Sequence, residues 1–210
     1  MFTLYARPGM GSTAVEAVLA EIGAPHKIID ILRDAEGKIP ASYAAINPRG
    51  EIPTLQLADH SLMTESAAMV IYLADLYPVA GLAPNVNSPT RAVYLRWMLY
   101  FASAVYMADL RYYYSARYST QSGAADGIRE KARIDMMRDF EIFAESLGRG
   151  PYVLGSQFSA VDIYTAMLLS WAPDLPALFA KHPNLKALYA LVAKRPKIAP
   201  VWLRNEMPVA

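Results

Sequence analysis

Two short segments of the chain carry residue types that suit the recognition of a small peptide. The first is Ile52-Pro53, at the start of a short apolar run. A cis bond before Pro53 would turn the N–H and C=O of Ile52 outward, where they can pair with an added peptide strand. Local sequence favours an ordinary trans proline entering an edge strand, since only about 5% of X-Pro bonds are cis. The peptide site is the functional alternative at this position.

The second segment is Glu65-Ser66, which opens an apolar helix. Thr64 is predicted as the N-cap, and the helix dipole favours a glutamate in the first turn without any ligand. The same geometry suits an α-amino acid. Ser66 and the free N–H groups of the helix start can bind its carboxylate, while Glu65 binds the neighbouring ammonium. The residues alone leave both interpretations open.

The composition limits the partners and the chemistry. The chain has 210 residues, 54% of them hydrophobic, which is ample for a core in one domain or two small ones. A net charge of +1 argues against nucleic acid or an anionic membrane as the main partner. Because no apolar stretch is long enough to span a membrane and the N-terminus lacks a basic leader, we expect a cytoplasmic protein.

Cysteine is absent from the chain, which excludes disulfides, thiolate metal sites and a cysteine nucleophile. In a thiol reaction the sulfur would therefore come from the ligand. The three histidines, His26, His60 and His182, are scattered and each lies beside a turn signal. They form neither a metal-binding set nor a catalytic pair, so no metal is expected.

Alternating strands and helices are predicted to hold both segments in the first part of the chain. Apolar residues recur at helical spacing between Ser12 and Ile22, and Gly23 ends that run. A strand on each side of this helix makes a β-α-β unit, whose two strands should be parallel. A hairpin and an apolar helix follow. The predicted boundaries are strands at 2–5, 27–31, 54–57 and 61–63, and helices at 12–22 and 65–76.

The segment 78–88, rich in proline and asparagine, is predicted as a linker, and only helices are predicted after it. Ser88-Pro89 has the pattern of an N-cap followed by proline in the first turn. The predicted helices cover about 89–118, 126–147, 159–171 and 184–195. Two domains are therefore expected, residues 1–77 with an α/β fold and residues 89–210 as an all-α bundle.

The segment from Asn47 to Ser66 resembles the thioredoxin-like domain of the cytosolic glutathione transferases. In that family the pattern NPxGxVPxL is followed by a Glu-Ser or Asp-Ser pair at the start of the third helix. The matching residues are Asn47, Pro48, Gly50, Ile52, Pro53, Leu55, Glu65 and Ser66. The resemblance covers the whole chain, including LYARPG after the first strand, the linker and the helical domain. FSAVDIYTA is similar to the family's capping-box segment, with Ser159 and Asp162 as the reciprocal pair.

This resemblance implies the glutathione transferase fold, an α/β thioredoxin-like domain followed by an all-α bundle. It also implies that Pro53 is cis and that Ile52 binds the cysteinyl backbone of glutathione. Glu65 and Ser66 would bind the γ-glutamyl end, and Lys38 or Arg33 the glycyl carboxylate. The expected activity is transfer of glutathione, as co-substrate, to a small hydrophobic electrophile, as in detoxification. A homodimer formed through the third and fourth helices is expected as well.

The segment expected to activate the thiol differs from that of the bacterial beta-type transferases, in which the sequence PGACS supplies a cysteine. The aligned segment is PGMGS, so Gly11 stands at the cysteine position, and Tyr106 aligns with a histidine of those enzymes. Three donors remain, in the order Ser12, Tyr106 and Tyr5. Ser12 begins a helix and could be only an N-cap, and Tyr5 could be only structural.

The electrophile site implied by the resemblance is apolar and aromatic, and would hold hydrophobic compounds. It is expected to be lined by Met10, Tyr106, Leu110, Tyr113 and Tyr114, with Trp171 as a further candidate. Two alternatives to a transferase stay open. One is a non-catalytic protein that uses the same fold to bind a partner or a ligand, and the other is a glutathione-dependent isomerase or dehalogenase.

Overall fold

The computed structural model describes residues 1–148 and 150–209, which form two compact units. The N-terminal unit contains residues 1–83 together with residues 193–209, and the helical unit contains residues 84–192. The sequence-based boundary assigned residues 193–209 to the helical domain, whereas in the structure their contacts group them with the N-terminal unit.

The N-terminal unit is built on a four-stranded sheet with the order β2-β1-β3-β4. β1 and β2 are parallel, as predicted, and the other two pairings are antiparallel. Phe2, Leu4 and Ala6 are buried at alternate positions of β1, as a strand with one covered face requires. The strands are β1 (Phe2–Ala6), β2 (His26–Asp30), β3 (Thr54–Gln56) and β4 (Leu62–Met63).

Three helices of the N-terminal unit precede the linker: α1 (Ser12–Ile22), α2 (Ala41–Ala44) and α3 (Ser66–Leu76). The apolar residues Val15, Val18 and Leu19, which predicted α1, are fully buried. Gly23 ends this helix in the left-handed conformation, with φ 69°, which glycine adopts without steric cost. The predicted boundaries of α1 and α3 are thus close to those observed.

The helical unit contains α4 (Thr90–Tyr100), α5 (Tyr106–Tyr113), α6 (Ala125–Ser146), α7 (Ala160–Leu169), α8 (Leu175–Lys181) and α9 (Pro183–Ala193). The long helix predicted to about Tyr118 is helical throughout from Thr90 to Tyr113, with a π-helical segment (Phe101–Val105) between α4 and α5, and a 3₁₀ turn (Ser115–Tyr118) follows it. In the π-helical segment the fully buried Phe101 packs on Phe143, with ring centroids 4.9 Å apart. The predicted capping box of α7 is confirmed, since the Ser159 side chain accepts from the N–H of Asp162 and Asp162 Oδ2 accepts from the N–H of Ser159 at 2.7 Å.

The last helix, α10 (Ala199–Arg204), returns to the N-terminal unit and packs on α1. The sequence did not predict it, because its six residues follow Pro196, contain Pro200 and give too short a window for helical periodicity. No helix among the described residues combines the length and apolar character needed to cross a bilayer.

Candidate functional site

The sheet brings the two segments singled out in the sequence to one end of the N-terminal unit. Leu55 of β3 pairs with Met63 of β4 in antiparallel register. Ile52-Pro53 directly precedes β3 and Glu65-Ser66 follows β4, so this antiparallel pairing puts both segments at the same end of the sheet. Thr54 also pairs with Tyr5, close to the end of β1. The loop that follows β1, residues 7–11, therefore leaves the sheet at the same end.

The Ile52-Pro53 bond is cis, as the resemblance implied and as local sequence did not favour. Two buried side chains hold the residues on either side of it. Tyr43 donates its hydroxyl to the C=O of Glu51 at 2.6 Å, and Asn47 donates Nδ2 to the same oxygen at 2.8 Å. Both also reach the hydroxyl of Thr54, at 2.9 and 3.2 Å. This explains why Asn47 lies ahead of the proline, since its amide bridges the two ends of the turn.

Glu65 has an unusual backbone conformation, and it changes the interpretation of the helix start. The prediction of Thr64 as the N-cap is wrong, because Glu65 occupies that position, with φ 66° and ψ 99°, and makes no capping hydrogen bond with its side chain. A left-handed conformation is costly for a residue with a side chain and is often found at ligand sites. The carboxylate of Glu65 is exposed, whereas Ser66 is buried at the first position of α3.

The loop after β1 is closed by Ser12. Its hydroxyl donates to the C=O of Arg7 at 2.9 Å and accepts from the N–H of Arg7 at 3.1 Å, and the side chain is fully buried. The hydroxyl proton of Ser12 is thus already used within the loop. The loop also contains the half-buried Met10, and in the described part of the chain the N–H groups of Gly11 and Ser12 donate no hydrogen bond. Amides at the start of a helix can donate to an anion, and these two belong to the buried residues Gly11 and Ser12.

Tyr5 and Lys38 are the other candidates in the N-terminal unit. The half-buried ring of Tyr5 packs against Tyr43, with centroids 5.8 Å apart. Lys38 is exposed in the segment between β2 and α2, where its backbone N–H donates to Asp34 at 2.7 Å. The neighbouring Arg33 donates to the C=O of Gly37 at 2.6 Å.

The remaining candidates lie in the helical unit, on and just after α5. The ring of Tyr106 lies 5.4 Å from that of Trp171, and the hydroxyl of Tyr113 donates to the C=O of Trp171 at 3.0 Å. The structure therefore groups these three residues. Leu110 is half-buried on the same helix, and Tyr114 has the guanidinium of Arg117 over its ring at 4.2 Å.

Two domain models of one protein family match the chain. The family model of the glutathione S-transferase N-terminal domain matches residues 12–76, and that of the C-terminal domain matches residues 108–205. The chain belongs to the glutathione S-transferase family. This agrees with the resemblance stated from the Asn47–Ser66 segment, and it accounts for the sheet unit followed by a helical unit.

Individual transferases resemble the chain over nearly its whole length. It is 29% identical over 209 residues to YncG, an uncharacterised GST-like protein of Escherichia coli K12, covering 99% of this chain and 100% of that protein. It is 25% identical over 196 residues to the glutathione S-transferase GstA of Escherichia coli O157:H7, covering 93% and 94%. A solved glutathione transferase homologue from Sulfitobacter, with bound glutathione, is similar with a TM-score of 0.88 at 29% identity, over 99% of both chains. These relatives place the chain among the glutathione S-transferase enzymes and confirm the predicted fold.

One residue of the helical unit was missed by the sequence analysis of this glutathione S-transferase. Asp109 lies on α5 between Tyr106 and Tyr113, is 5% exposed, and its Oδ1 has no hydrogen-bond partner among the described residues. Burial raises the pKa of this carboxyl to about 7. A single acidic residue within the apolar and aromatic run YMADL is the signal that could have revealed it.

A metal site is not formed in the described part of the chain, since no three acidic or histidine side chains there are grouped closely enough to hold an ion.

Proposed function

We propose that the protein binds glutathione in its N-terminal unit and activates it as a thiolate that attacks a small hydrophobic electrophile. The observation that carries this proposal is that the cis Ile52-Pro53 bond, Glu65-Ser66 and the loop that ends in Ser12 all lie at the same end of the sheet. Glutathione presents a peptide backbone, an amino-acid head group and a thiol. A site that binds all three would need these three features within the length of one tripeptide. The bound glutathione of the Sulfitobacter homologue supports the choice of ligand.

Each part of glutathione has a group of matching chemistry. The backbone of Ile52 pairs with the cysteinyl residue in the manner of an added strand. The exposed carboxylate of Glu65 binds the γ-glutamyl ammonium, and Ser66 with the first N–H groups of α3 binds the adjacent carboxylate. Lys38, exposed in its loop, binds the glycyl carboxylate. Both ends of the tripeptide would then be fixed, which leaves its thiol near the loop.

Activation requires the thiolate to be favoured over the thiol. Lowering a thiol pKa from about 8.5 by two units corresponds to about 2.7 kcal/mol, which one or two aligned donors can supply. Ser12 is the first candidate, through its N–H and through its hydroxyl, which would have to turn from the C=O of Arg7 to the thiolate when glutathione binds. Tyr106 and Tyr5 come after it. With an aryl halide, the thiolate forms the new C–S bond and the halide leaves with the electron pair of the broken bond. Met10, Leu110, Tyr113 and Tyr114 are the proposed contacts of the electrophile.

A titration of the bound thiol tests the proposal. The ultraviolet absorbance of the thiolate should show a pKa well below that of free glutathione in the wild-type complex, and Ser12→Ala should raise it. Ser146→Ala is a matched control, because its hydroxyl also donates to a backbone carbonyl, that of Phe143 at 2.7 Å, at the end of α6. A titration unchanged in Ser12→Ala would remove the Ser12 hydroxyl as the activating donor and direct the same test to Tyr106→Phe and Tyr5→Phe.

A non-catalytic binding protein is the second candidate, and the occupied hydroxyl of Ser12 together with glycine at position 11 favours it. Retention on immobilised glutathione with turnover of an aryl halide supports the enzyme. Tight retention with no turnover, and with the bound thiol still protonated at neutral pH, supports the binder.

We also propose that the protein is a cytoplasmic homodimer, in line with its family. Both helices expected at the interface expose large apolar side chains in the single chain. Tyr72 and Leu76 of α3 are 37% and 47% exposed, and Val93 and Leu99 of α4 are 41% and 60% exposed. Sedimentation equilibrium should give twice the chain mass, and a monomer at micromolar concentration would contradict this assembly.

A further inference from the structure

The C-terminal segment is tied to the beginning of α1 by a buried polar network. Asn205, which follows α10, is 1% exposed and lies 192 positions from Thr13 in the chain. Its Oδ1 accepts a hydrogen bond from the hydroxyl of Thr13 at 3.0 Å. Its Nδ2 donates to Glu16 Oε2 at 3.0 Å and to the C=O of Val201 at 2.9 Å. Both polar atoms of the amide are therefore satisfied by α1 and α10.

The position of Asn205 is itself fixed by the end of α10. The N–H of Met207 donates to the C=O of Trp202 at 3.0 Å, and that of Glu206 to the C=O of Leu203 at 3.2 Å. Glu206 is left-handed, with φ 55°, so the chain ends the helix in a closed turn around Asn205. The neighbouring Arg204 donates to Glu16 Oε2 at 2.8 Å, which holds the same carboxylate from the other side.

The same network contacts the loop that precedes α1. The N–H of Thr13 donates to the C=O of Met10 at 2.9 Å, so the residue that binds Asn205 also holds the loop. A methyl group placed on Gly9 would lie 3.7 Å from the C=O of Asn205, which shows that the backbone of Asn205 lies directly behind the loop. Gly9 has φ 72°, a conformation that needs glycine. Asn205 thus supports the loop at Gly9 and at Thr13.

We propose that Asn205 is a positioning residue for the loop 7–12, and that it sets the direction of the N–H groups at the start of α1. The inference rests on the proposed function in one respect, namely that these donors face the glutathione thiol. Asn205 does not touch the ligand in this scheme. It acts through Thr13, whose hydroxyl and N–H join the C-terminal segment to the loop.

A second tie between the C-terminal segment and α1 provides the control. Arg195 donates to both carboxylate oxygens of Glu21, at 2.8 and 3.1 Å, near the far end of α1. Loss of this pair should loosen the same packing without moving the loop. If Asn205 had a purely structural role, loss of either tie would have the same effect on the protein. If Asn205 positions the loop, only loss of the Thr13–Asn205 hydrogen bond should change the pKa of the bound thiol.

The test compares Thr13→Val, Thr13→Ser and Arg195→Gln with the wild-type protein. Thr13→Val keeps the shape of the side chain and removes the hydroxyl, and Thr13→Ser keeps the hydroxyl. We expect Thr13→Val to raise the pKa of bound glutathione by about half a unit or more and to lower kcat/KM about tenfold or more, as small misplacements of catalytic groups do. Thr13→Ser should restore both. Arg195→Gln should lower the melting temperature and leave the thiol pKa in place.

Two outcomes would overturn the inference: an unchanged thiol pKa in Thr13→Val, or an equal rise in Arg195→Gln. Amide hydrogen exchange of residues 9–12, measured without glutathione, separates this inference from the proposed function. Faster exchange in Thr13→Val than in Arg195→Gln supports the positioning role even if the wild-type protein shows no thiolate. Equal exchange in the two variants contradicts it whether or not glutathione binds.

Discussion

Replacing Asp109 by asparagine should remove a large part of the pH dependence of stability in the helical unit. The carboxyl is 5% exposed, its Oδ1 has no partner among the described residues, and burial raises its pKa from 3.8 to about 7. Below pH 3.8 the carboxyl is protonated in both the folded and the unfolded chain. As the pH rises from there to about 7, the unfolded chain loses its proton first, so unfolding becomes more favourable.

The size of the effect follows from the two pKa values. At about 1.4 kcal/mol for each pH unit, the interval from 3.8 to about 7 corresponds to a loss of about 4 kcal/mol, complete above pH 7. Asparagine has nearly the same shape and does not titrate. Any constant cost of the amide is the same at every pH, so the difference between variant and wild type isolates the ionisation of Asp109.

Urea unfolding, followed by circular dichroism at intervals between pH 4 and pH 8, measures this difference. The free energy of unfolding of Asp109→Asn, relative to wild type, should increase by several kcal/mol over that range and then level off. Asp126→Asn is the control, because the side chain of Asp126 is 93% exposed near the start of α6 and stays in water in both states. Parallel curves for Asp109→Asn and wild type would refute the reasoning, since the buried carboxyl would then ionise at no cost.

Three further predictions concern the ligand site and its support. Ser159→Ala removes the N-cap hydroxyl of α7 and should lower the free energy of unfolding by about 1 kcal/mol, whereas an unchanged urea midpoint would argue against the cap. Glu65→Gln should weaken glutathione binding about tenfold or more in calorimetry, because the ammonium loses a charged partner. The control Glu51→Gln removes an exposed carboxylate that pairs with Arg49, and it should bind glutathione as tightly as the wild type. An equal loss of affinity in Glu65→Gln and Glu51→Gln would point to an effect of the net charge and not to a contact of Glu65. Asn47→Ala should lower the free energy of unfolding by about 1 to 3 kcal/mol, because the C=O of Glu51 and the hydroxyl of Thr54 each lose a donor. A melting temperature equal to that of the wild type would contradict this prediction.

Local patterns predicted most of the elements correctly. The apolar spacing of Val15, Val18 and Leu19 predicted α1, and Gly23 predicted its end, because helix periodicity and a left-handed terminus depend on residues a few positions apart. The capping box at Ser159 was predicted for the same reason. The cis bond at Pro53 needed the family pattern, since local energetics alone favour the trans form.

Other features depended on contacts that no local pattern contains. The N-cap of α3 is the left-handed Glu65 and not the predicted Thr64. The preceding hairpin sets the direction in which the chain enters α3, and local helix propensity does not specify that direction. The hydroxyl of Ser12 was predicted as a donor to an anion, but it is held by the backbone of Arg7 once the loop folds back. The short α10 gains its stability from packing on α1.

The sequence by itself determined the fold family, the order of strands and helices, and the absence of a protein thiol, because these depend on residue identity and on short-range spacing. Only the tertiary structure decided which groups are available for chemistry. It brought Ile52-Pro53 and Glu65-Ser66 to the same end of the sheet, buried Asp109, and joined Asn205 to Thr13. These results depend on strand register and burial, which are set by packing between residues far apart in the chain.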